Sequence, residues 1–515
     1  MAQKFLGISA IAALMLAWVY GAFLAHPLNL ATADLGRHIR NGEFVFKDSE
    51  VLSTNFYSYT AADWPVINHH WGAGVIFYLI WRLAGFSGLH VFFIALSLAT
   101  FLIFYKIAQS RAGTGIAALV ALGTIPLLAE RAEIRPEAFT YFFSALFFLI
   151  LWKAREGKIS KNFLWLLPAL EIIWANTHIY FFLGPAIITA FLIENLAARK
   201  EKFASLLKTL ALTALATLLN PFGLRGVLEP FTIFKNYGYR LVENQPVWFI
   251  EKLLQNPNFF IFKLVFAVLV LSFLVKWIKT WKFRSGLAYF LLALGASLAA
   301  WLQIRNFALF GFLALPIMAE NFGEAFRERP AKSERFWKIA ASLAVGVVFI
   351  IVIAGKMPEF LPNFQEFGIG LAGGNSAASD FFKENKIKGP IFNNYDIGGY
   401  LIYHLFPEER VFTDYRPEAY PADFFQNTYI PIQEDGKKWQ EAEQKYNFNA
   451  IIFSWRDATP WGQKFLLARA GDRDWVPVFA DPYVIIFVKR NEANQAVIEK
   501  HEIPKEFFRI ASAGR

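Results

Sequence analysis

The sequence predicts an all-α membrane bundle of about eleven transmembrane helices, followed by a small C-terminal α/β domain. Of the 515 residues, 56% are hydrophobic and only 18% are charged, which is too apolar for a soluble protein of this length. Long apolar runs recur up to residue 355, and short stretches rich in β-branched and aromatic residues follow. We therefore expect a transmembrane module at 1–355 and an extracytoplasmic domain at 356–515.

The apolar runs vary in length, and several are shorter than the ~20 residues that a perpendicular helix needs. We expect the ends of the short runs to lie in protein or at the membrane interface. The first run lacks a small-residue cleavage site and is too long for a signal peptide, so we interpret it as a retained span. The runs lie near 5–26, 89–108, 113–128, 138–152, 162–177, 180–196, 204–219, 260–277, 286–302, 305–319 and 337–355.

Lysine and arginine counts predict the orientation of these spans. One alternating set of loops holds 17 basic residues and the other holds 7, so the first set is expected to be cytoplasmic. The segment 72–85, "GAGVIFYLIWRLAG", contains Arg82 and has glycines at both ends, which favours a helix in the interface over a span. With this segment counted as interfacial, we expect an inner-membrane protein with a cytoplasmic N-terminus, a long outer loop at 27–88 and an outer C-terminal domain.

Polar residues gather on the predicted outer face. The first outer loop contributes acidic, basic and imidazole groups, and later loops contribute more of the same types. Such convergence at one end of a bundle predicts a functional site. The candidate residues are Asp34, Arg37, His38, His69, His70, Arg131, Glu133, Arg135, Glu137, Asn176, His178, Arg225, Arg240, Glu243 and Arg305.

Composition also excludes several classes of function. There is no cysteine, which excludes disulfides, thiol catalysis and thiolate metal sites. The chain has 51 basic and 41 acidic residues, but the basic ones lie in short loops between apolar runs, as expected for orienting charges and not for a nucleic-acid surface. No glycine-rich nucleotide-binding loop is present.

A carboxylate beside arginines and histidines at the outer interface suits sugar transfer from a lipid phosphate. An aspartate can accept the proton of an acceptor hydroxyl while cationic groups stabilise the departing phosphate. The planar guanidinium of arginine binds two phosphate oxygens at once. Because nucleotide sugars are absent outside the cytoplasm, the expected donor is a polyprenyl phosphate or diphosphate sugar, and the acceptor is extracytoplasmic and unknown.

Several motifs carry a family resemblance over nearly the whole chain. They are "DLGRH", "NHHWGAGVIFY", "RPEAFTY", "WANTH", "LNPFG", "FNNYDIGGYLIYHL" and "VFTDYRPEAY". Together they resemble the GT-C superfamily of integral membrane glycosyltransferases, and within it a bacterial GT-C-like group. The resemblance implies that Asp34 takes the place of the catalytic acid of the first loop and that Glu133 or Glu137 takes the place of a second acid. Metal-dependent members often have two adjacent acids in the first loop, whereas Leu35 follows Asp34 here, so we expect no metal and no cofactor.

Each candidate also has a structural interpretation. Asp34 can cap a helix, and Pro136 with Glu137 can begin one. Zinc bound by Asp34, His38 and the histidine pair 69–70 is a weaker alternative, because adjacent side chains are expected to point apart. The alternative function is a transporter or flippase of a lipid-linked or polar substrate, although no internal repeat is evident.

The tail has its own pattern. The segments "GPIFNNY", "RVFTDY", "FNAIIFS" and "PYVIIFVKR" are predicted to be strands, and "GGYLIYHLF" and "PWGQKFLLARAG" are predicted to be helices. "DIGG" is typical of a turn into a helix. The "TDYRPEAY" segment is either an acceptor-binding edge or a salt-bridged strand end.

Overall fold

The computed structural model describes residues 2–198, 203–280, 286–327, 331–361 and 364–508, and the chain is mostly helical. Of the basic loop residues counted above, Arg199, Lys200, Lys202, Lys282, Arg284 and Arg329 lie outside the described residues. Up to residue 355 the helices are α1 (Ala2–Leu24), α2 (Leu35–Phe44), α3 (Trp71–Ala129), α4 (Glu137–Arg155), α5 (Leu166–Thr177), α6 (Leu183–Ala197), α7 (Phe203–Ala216), α8 (Leu224–Thr232), α9 (Val247–Ile250), α10 (Pro257–Thr280), α11 (Leu287–Leu302), α12 (Phe307–Ala325) and α13 (Ala331–Ile353).

The remaining chain forms short helices around a small sheet. The helices are α14 (Ala377–Glu384), α15 (Gly398–Leu405), α16 (Ala422–Phe424), α17 (Ile430–Glu434), α18 (Gly436–Tyr446), α19 (Pro460–Gly471) and α20 (Gln495–His501). The strands are β1 (Ile391–Asn393), β2 (Ala450–Ser454), β3 (Trp475–Ala480) and β4 (Val484–Lys489).

Contacts divide the chain into two compact units. The first unit comprises residues 1–27, 86–230 and 240–370, and the second comprises residues 28–85, 231–239 and 371–515. The sequence placed the first outer loop in the transmembrane module at 1–355, whereas the contacts group residues 28–85 with the C-terminal residues. The domain boundary at residue 355 therefore stays a prediction.

Every apolar run identified in the sequence contains helix. In the described part of the chain, five helices are long and apolar enough to cross a membrane: Trp71–Arg131, Glu137–Arg155, Ile179–Ala197, Pro257–Thr280 and Ser333–Ile353. Three shorter helices are also apolar, at Ser9–Leu24, Phe203–Ala216 and Leu287–Leu302. A membrane bundle with a small C-terminal sheet is therefore confirmed, and the count of eleven spans stays a prediction.

Helix α3 covers three of the predicted segments in one element. Two glycines inside it have left-handed backbone, Gly85 with a φ of +63° and Gly113 with a φ of +76°, a conformation that a residue with a Cβ rarely adopts. They separate segments 71–84, 86–112 and 114–129. The first of these matches the segment that the sequence predicted to lie in the membrane interface.

Apolar side chains on the outside of the first unit suit a hydrocarbon environment. Along α13, the exposed large side chains recur every three or four residues, at Phe336, Ile339, Leu343, Val347 and Ile350. This spacing forms one face of a helix. A soluble protein rarely exposes such a stripe, so this face is expected to contact lipid.

Partly buried ion pairs connect helices at the end of the first unit that the sequence predicts to be cytoplasmic. Arg111 donates two hydrogen bonds to Glu320, at 2.6 and 2.7 Å, and one to Glu156 at 2.8 Å. Arg155 pairs with Glu194 at 3.1 Å. Arg111 and Arg155, which the sequence indicated only as orienting charges, therefore also form ion pairs that connect α3 with α12 and α4 with α6.

The C-terminal sheet has the strand order β1-β2-β4-β3. Strand β1 pairs with β2 in parallel, and the other two pairings are antiparallel. The predicted strands in "GPIFNNY", "FNAIIFS" and "PYVIIFVKR" and both predicted helices are present, and β3 is a strand that the sequence analysis missed.

The strand predicted in "RVFTDY" is wrong. Val411 forms an isolated bridge with Ser58, and its N–H donates to the carbonyl of Tyr57 at 3.1 Å. Ser58 and Thr60 donate side-chain hydrogen bonds to the carbonyl of Phe412. The backbone of this segment therefore pairs with the first outer loop, and it is hydrogen-bonded to the sheet through the side chain of Asn393, which accepts from the N–H of Phe412 and donates to the carbonyl of Thr413.

Candidate functional site

The predicted site residues lie in both compact units, and each group is described within its own unit. Asp34 stands at the start of α2, but its side chain makes no capping hydrogen bond. Its Oδ2 atom lies 3.1 Å from Arg37 Nη2 and 3.1 Å from His38 Nε2. Since Arg37 and His38 are buried, they hold the carboxylate in a fixed position, and the capping interpretation does not account for its side chain.

Helix α2 rests on α15 through glycines. A Cβ added at Gly36 would lie 2.6 Å from Tyr403 Cβ, and one added at Gly399 would lie 3.4 Å from Asp34 Cα. Arg40 Nε donates to the carbonyl of Tyr403 at 2.9 Å. The glycine pair of "DIGG" therefore begins a helix, as predicted, and allows the close approach of the helix that begins after Asp34.

The two adjacent histidines of the first loop lie against each other. The ring centroids of His69 and His70 are 4.1 Å apart, and His70 is 5.5 Å from His38. The expectation that the histidine side chains point apart is therefore wrong. Among the residues that the structure describes, no group of three histidine, aspartate or glutamate side chains is arranged to hold a metal ion.

The "TDYRPEAY" segment is engaged in structural contacts. Arg416 binds both carboxylate oxygens of Asp414, at 2.8 and 2.7 Å, and donates to Asn55 Oδ1 at 2.8 Å. All three side chains are buried. The guanidinium carbon lies 5.6 Å from the centre of the Tyr57 ring. Of the two sequence interpretations, these contacts favour the salt-bridged one.

In the first unit, three arginines alternate with three glutamates; we call this group the arginine cluster (Arg131, Arg135, Arg305, Glu133, Glu137 and Glu243). Arg131 contacts Glu137 at 3.0 Å and Glu243 at 2.8 Å. Arg135 contacts Glu133 at 2.7 Å. Because each arginine has a carboxylate partner, the cluster is balanced in charge, which the sequence did not indicate.

Glu243 is the centre of this cluster. Arg131, Arg305 and Arg135 lie 2.8, 3.5 and 3.6 Å from its carboxylate. Burial alone would raise the pKa of Glu243, but these three positive charges outweigh that effect and hold the pKa well below its ordinary value. Glu243 is therefore ionised at neutral pH and joins the two loops that carry the arginines, one with Arg131 and Arg135 and the other with Arg305.

Two other predicted residues have structural roles at nearby helix ends of the same unit. The buried His178 accepts hydrogen bonds at Nδ1 from Thr140 Oγ1 at 2.7 Å and from the N–H of Tyr180 at 3.3 Å. Asn176 donates to the carbonyls of Ile172 and Leu219. Arg225 and Arg240 are exposed and form no ion pair among the described residues.

A cavity of about 320 Å³ lies beside the arginine cluster within the first unit. Its polar lining residues are His26, Glu130, Arg131, Glu133, Arg135, Asn256, Asn258 and Gln365. Phe23, Leu361 and Phe364 contribute apolar surface. A cavity that combines guanidinium groups with apolar side chains suits an amphiphilic anion.

Sequence reasoning missed part of this lining. Asn256 donates to Glu130 Oε1 at 3.0 Å, and Asn258 donates to Glu130 Oε2. These amides are more than a hundred residues from Glu130, so no local motif joins them. The only sequence signal was the polar "NPN" immediately before a long apolar run.

No protein-family model matches the sequence, and no curated protein matches it. Solved structures do match. The archaeal oligosaccharyltransferase AglB from Archaeoglobus fulgidus, in complex with an inhibitory peptide and a dolichol-phosphate, is 11% identical with a TM-score of 0.61, over 93% of this chain and 73% of that one.

Two further solved structures are similar. ArnT from Cupriavidus metallidurans, bound to undecaprenyl phosphate, is 13% identical with a TM-score of 0.51, over 96% of this chain and 99% of that one. The arabinofuranosyltransferase AftD from Mycobacteria is 12% identical with a TM-score of 0.50, over 94% of this chain and 42% of that one. The predicted GT-C fold is thereby confirmed, and at these identities the likeness concerns the fold alone.

Proposed function

We propose that this chain is a GT-C-type glycosyltransferase that moves a sugar from a polyprenyl-phosphate donor to an extracytoplasmic acceptor with inversion. The acceptor oxygen attacks the anomeric carbon, the bond from that carbon to the phosphate oxygen breaks, and the electron pair leaves with the polyprenyl phosphate. The proton of the acceptor hydroxyl passes to Asp34. The solved structures of similar fold support this class of reaction, since two of them contain dolichol-phosphate or undecaprenyl phosphate.

The position of Asp34 is the observation that carries the proposal. Its carboxylate follows the first apolar helix, makes no helix cap, and is held by the buried His38 and Arg37 at 3.1 Å each. A general base must be fixed in place and ionised before the reaction. The guanidinium of Arg37 favours the ionised form of a neighbouring carboxylate.

The arginine cluster supplies the groups for the phosphate in this proposal. Arg131 is bound by Glu137 and Glu243 but has no hydrogen-bond partner for Nη2 among the described residues. It lines the cavity together with Arg135. Guanidinium groups stabilise the charge that grows on a departing phosphate, and the apolar side chains of the cavity suit the lipid. Glu133 or Glu137 is proposed as the second acidic residue of the site, and both contact arginines of the cluster. Arg305 completes the cluster.

The remaining candidates complete the proposal. His69, His70, Asn176, His178, Arg225, Arg240 and Glu243 are proposed to contact substrate or to support the residues that do. We further propose about eleven spans, on the number of apolar runs in the sequence. A cytoplasmic N-terminus and an outer C-terminal domain are proposed on the distribution of basic residues between the loops.

The test is mass spectrometry of the lipids that copurify with wild-type protein, Asp34→Asn and Asp63→Asn. Asp63 is an exposed carboxylate of the same loop and serves as the matched control. Removing a general base slows a reaction by about 10²–10⁴-fold. We expect a polyprenyl-phosphate sugar on Asp34→Asn and spent polyprenyl phosphate on the other two proteins.

Two results contradict the proposal. If Asp34→Asn carries the same ratio of sugar-bearing to spent lipid as Asp63→Asn, then Asp34 is not the base. If no protein binds such lipids even after candidate donors are added, glycosyl transfer fails as the function and transport becomes the better explanation.

A further inference from the structure

Glu130 differs from the other carboxylates beside the cavity. Glu133, Glu137 and Glu243 each contact an arginine of the cluster. The hydrogen bonds to Glu130 come instead from two neutral amides, Asn256 Nδ2 at 3.0 Å on one oxygen and Asn258 Nδ2 on the other. Among the described residues, no guanidinium lies within ion-pair distance of this carboxylate, although the charge of Arg131 acts on it from farther away.

The same part of the cavity holds other acceptor groups. His26 and Asn258 line the cavity with Glu130 and Asn256. His26 is only 5% exposed, and neither His26 Nε2 nor Asn258 Oδ1 has a hydrogen-bond partner among the described residues. Buried polar atoms are nearly always paired, so these two atoms are available to form hydrogen bonds with a molecule that enters the cavity.

The chemistry of these groups indicates which molecule it is. A phosphate offers only acceptors to a protein and therefore requires donors such as Arg131 and Arg135. A carboxylate and an amide oxygen require donors from the ligand, and sugar hydroxyls are donors. We propose that Glu130, Asn256, Asn258 and His26 form the subsite for the sugar of the lipid-linked donor, with Glu130 accepting hydrogen bonds from its hydroxyls.

This inference rests on the proposed function and adds the substrate class to it. A cavity of about 320 Å³ is at the small end of ligand pockets, and Arg131 and Arg135 share it with the subsite. It has room for one sugar and its phosphate. The donor is therefore a single hydroxyl-bearing sugar on a lipid phosphate, and Glu130 determines the preference for that sugar.

The experiment measures lipid binding to the full-length protein by native mass spectrometry. The probes are undecaprenyl phosphate alone and the same lipid carrying one hexose, one N-acetylhexosamine or one pentose. Glu130→Gln keeps the shape of the side chain and removes its charge. Glu251→Gln is the matched control, because Glu251 pairs with Lys263 and does not line the cavity.

We expect wild type and Glu251→Gln to bind one sugar-bearing lipid about tenfold more tightly than the bare lipid, the difference expected for hydrogen bonds to a charged group. Glu130→Gln should lose this preference and keep its affinity for the bare lipid, which also shows that it is folded. If Glu130→Gln keeps the preference or weakens both kinds of lipid equally, the subsite is refuted while the proposed function stands. The subsite is also refuted if no sugar-bearing lipid binds to wild type more tightly than the bare lipid. If no lipid binds at all, both the subsite and the proposed function are refuted.

Discussion

Replacing Gly36 by alanine should displace the helix that carries the proposed catalytic group. The new Cβ would lie 2.6 Å from Tyr403 Cβ and 3.1 Å from the carbonyl oxygen of Gly399. Non-bonded carbons prefer about 3.5–4.0 Å, so α2 must move by roughly 1 Å away from α15. Overpacking of this kind costs about 1–3 kcal/mol of stability.

The movement should affect the reaction more than the fold. A displacement of about 1 Å at a reacting group can cost roughly 100-fold in rate. We therefore expect Gly36→Ala to fold, to bind undecaprenyl phosphate as wild type does, and to retain sugar-bearing lipid as Asp34→Asn does. The assay is the ratio of sugar-bearing to spent lipid on the purified protein, combined with hydrogen exchange of residues 35–44.

The control is Gly436→Ala, because a Cβ added at Gly436 meets no atom within 4 Å and Gly436 belongs to the same compact unit as Gly36. It should match wild type in every measurement. A wild-type lipid ratio in Gly36→Ala would refute the reasoning, since it would mean that packing against α15 does not set the position of Asp34.

Three further outcomes are expected. Arg416→Met leaves the buried Asp414 without its guanidinium partner and should destabilise the second unit by about 3–5 kcal/mol. In thermal unfolding, the double variant with Asp414→Asn should recover part of this lost stability. A double variant no more stable than Arg416→Met would contradict the pairing. Arg131→Gln should weaken binding of bare undecaprenyl phosphate by about tenfold or more, whereas Lys252→Gln, at an exposed site, should not. Burial, and to a smaller extent repulsion from Asp457, raise the pKa of Asp396 from 3.8 to about 7. Because the pKa in the folded state exceeds the pKa in the unfolded state, the free energy of unfolding should fall as the pH rises between these two values. Asp396→Asn should remove this pH dependence.

Local composition was enough to predict the long apolar helices of the first unit, but not the short helices α8 and α9. In a membrane, an apolar run such as 138–152 has few alternatives to an α-helix, because its backbone N–H and C=O groups must be paired within the segment. Asp34 was also a candidate from the sequence, because a charged residue in the loop that follows an apolar helix is informative without knowledge of its partners. Its catalytic role stays a prediction. The hydrogen bonds from Arg37 and His38 are local as well, since these residues follow Asp34 by three and four positions.

Long-range pairing was not predictable in the same way. Arg131 and Glu243 are separated by 112 residues, so the sequence showed the arginine without the carboxylate that balances it. The "RVFTDY" segment has the composition of a strand, but its backbone partner is the first outer loop, and the side chain of Asn393 connects it to the sheet by hydrogen bonds. Amide side chains such as Asn256 have no periodic pattern, and only the fold shows that they hold Glu130.

The hydrogen bond from Arg40 to Tyr403 joins residues 363 positions apart, and this separation affects how the protein is made. At about 5–20 residues per second, a ribosome takes roughly 20–70 s to travel from one to the other. During that interval α2 is complete in sequence but lacks the helix on which it packs. A ribosome that stalls before residue 398 therefore leaves a chain that contains Asp34, Arg37 and His38 without the surface that orders them.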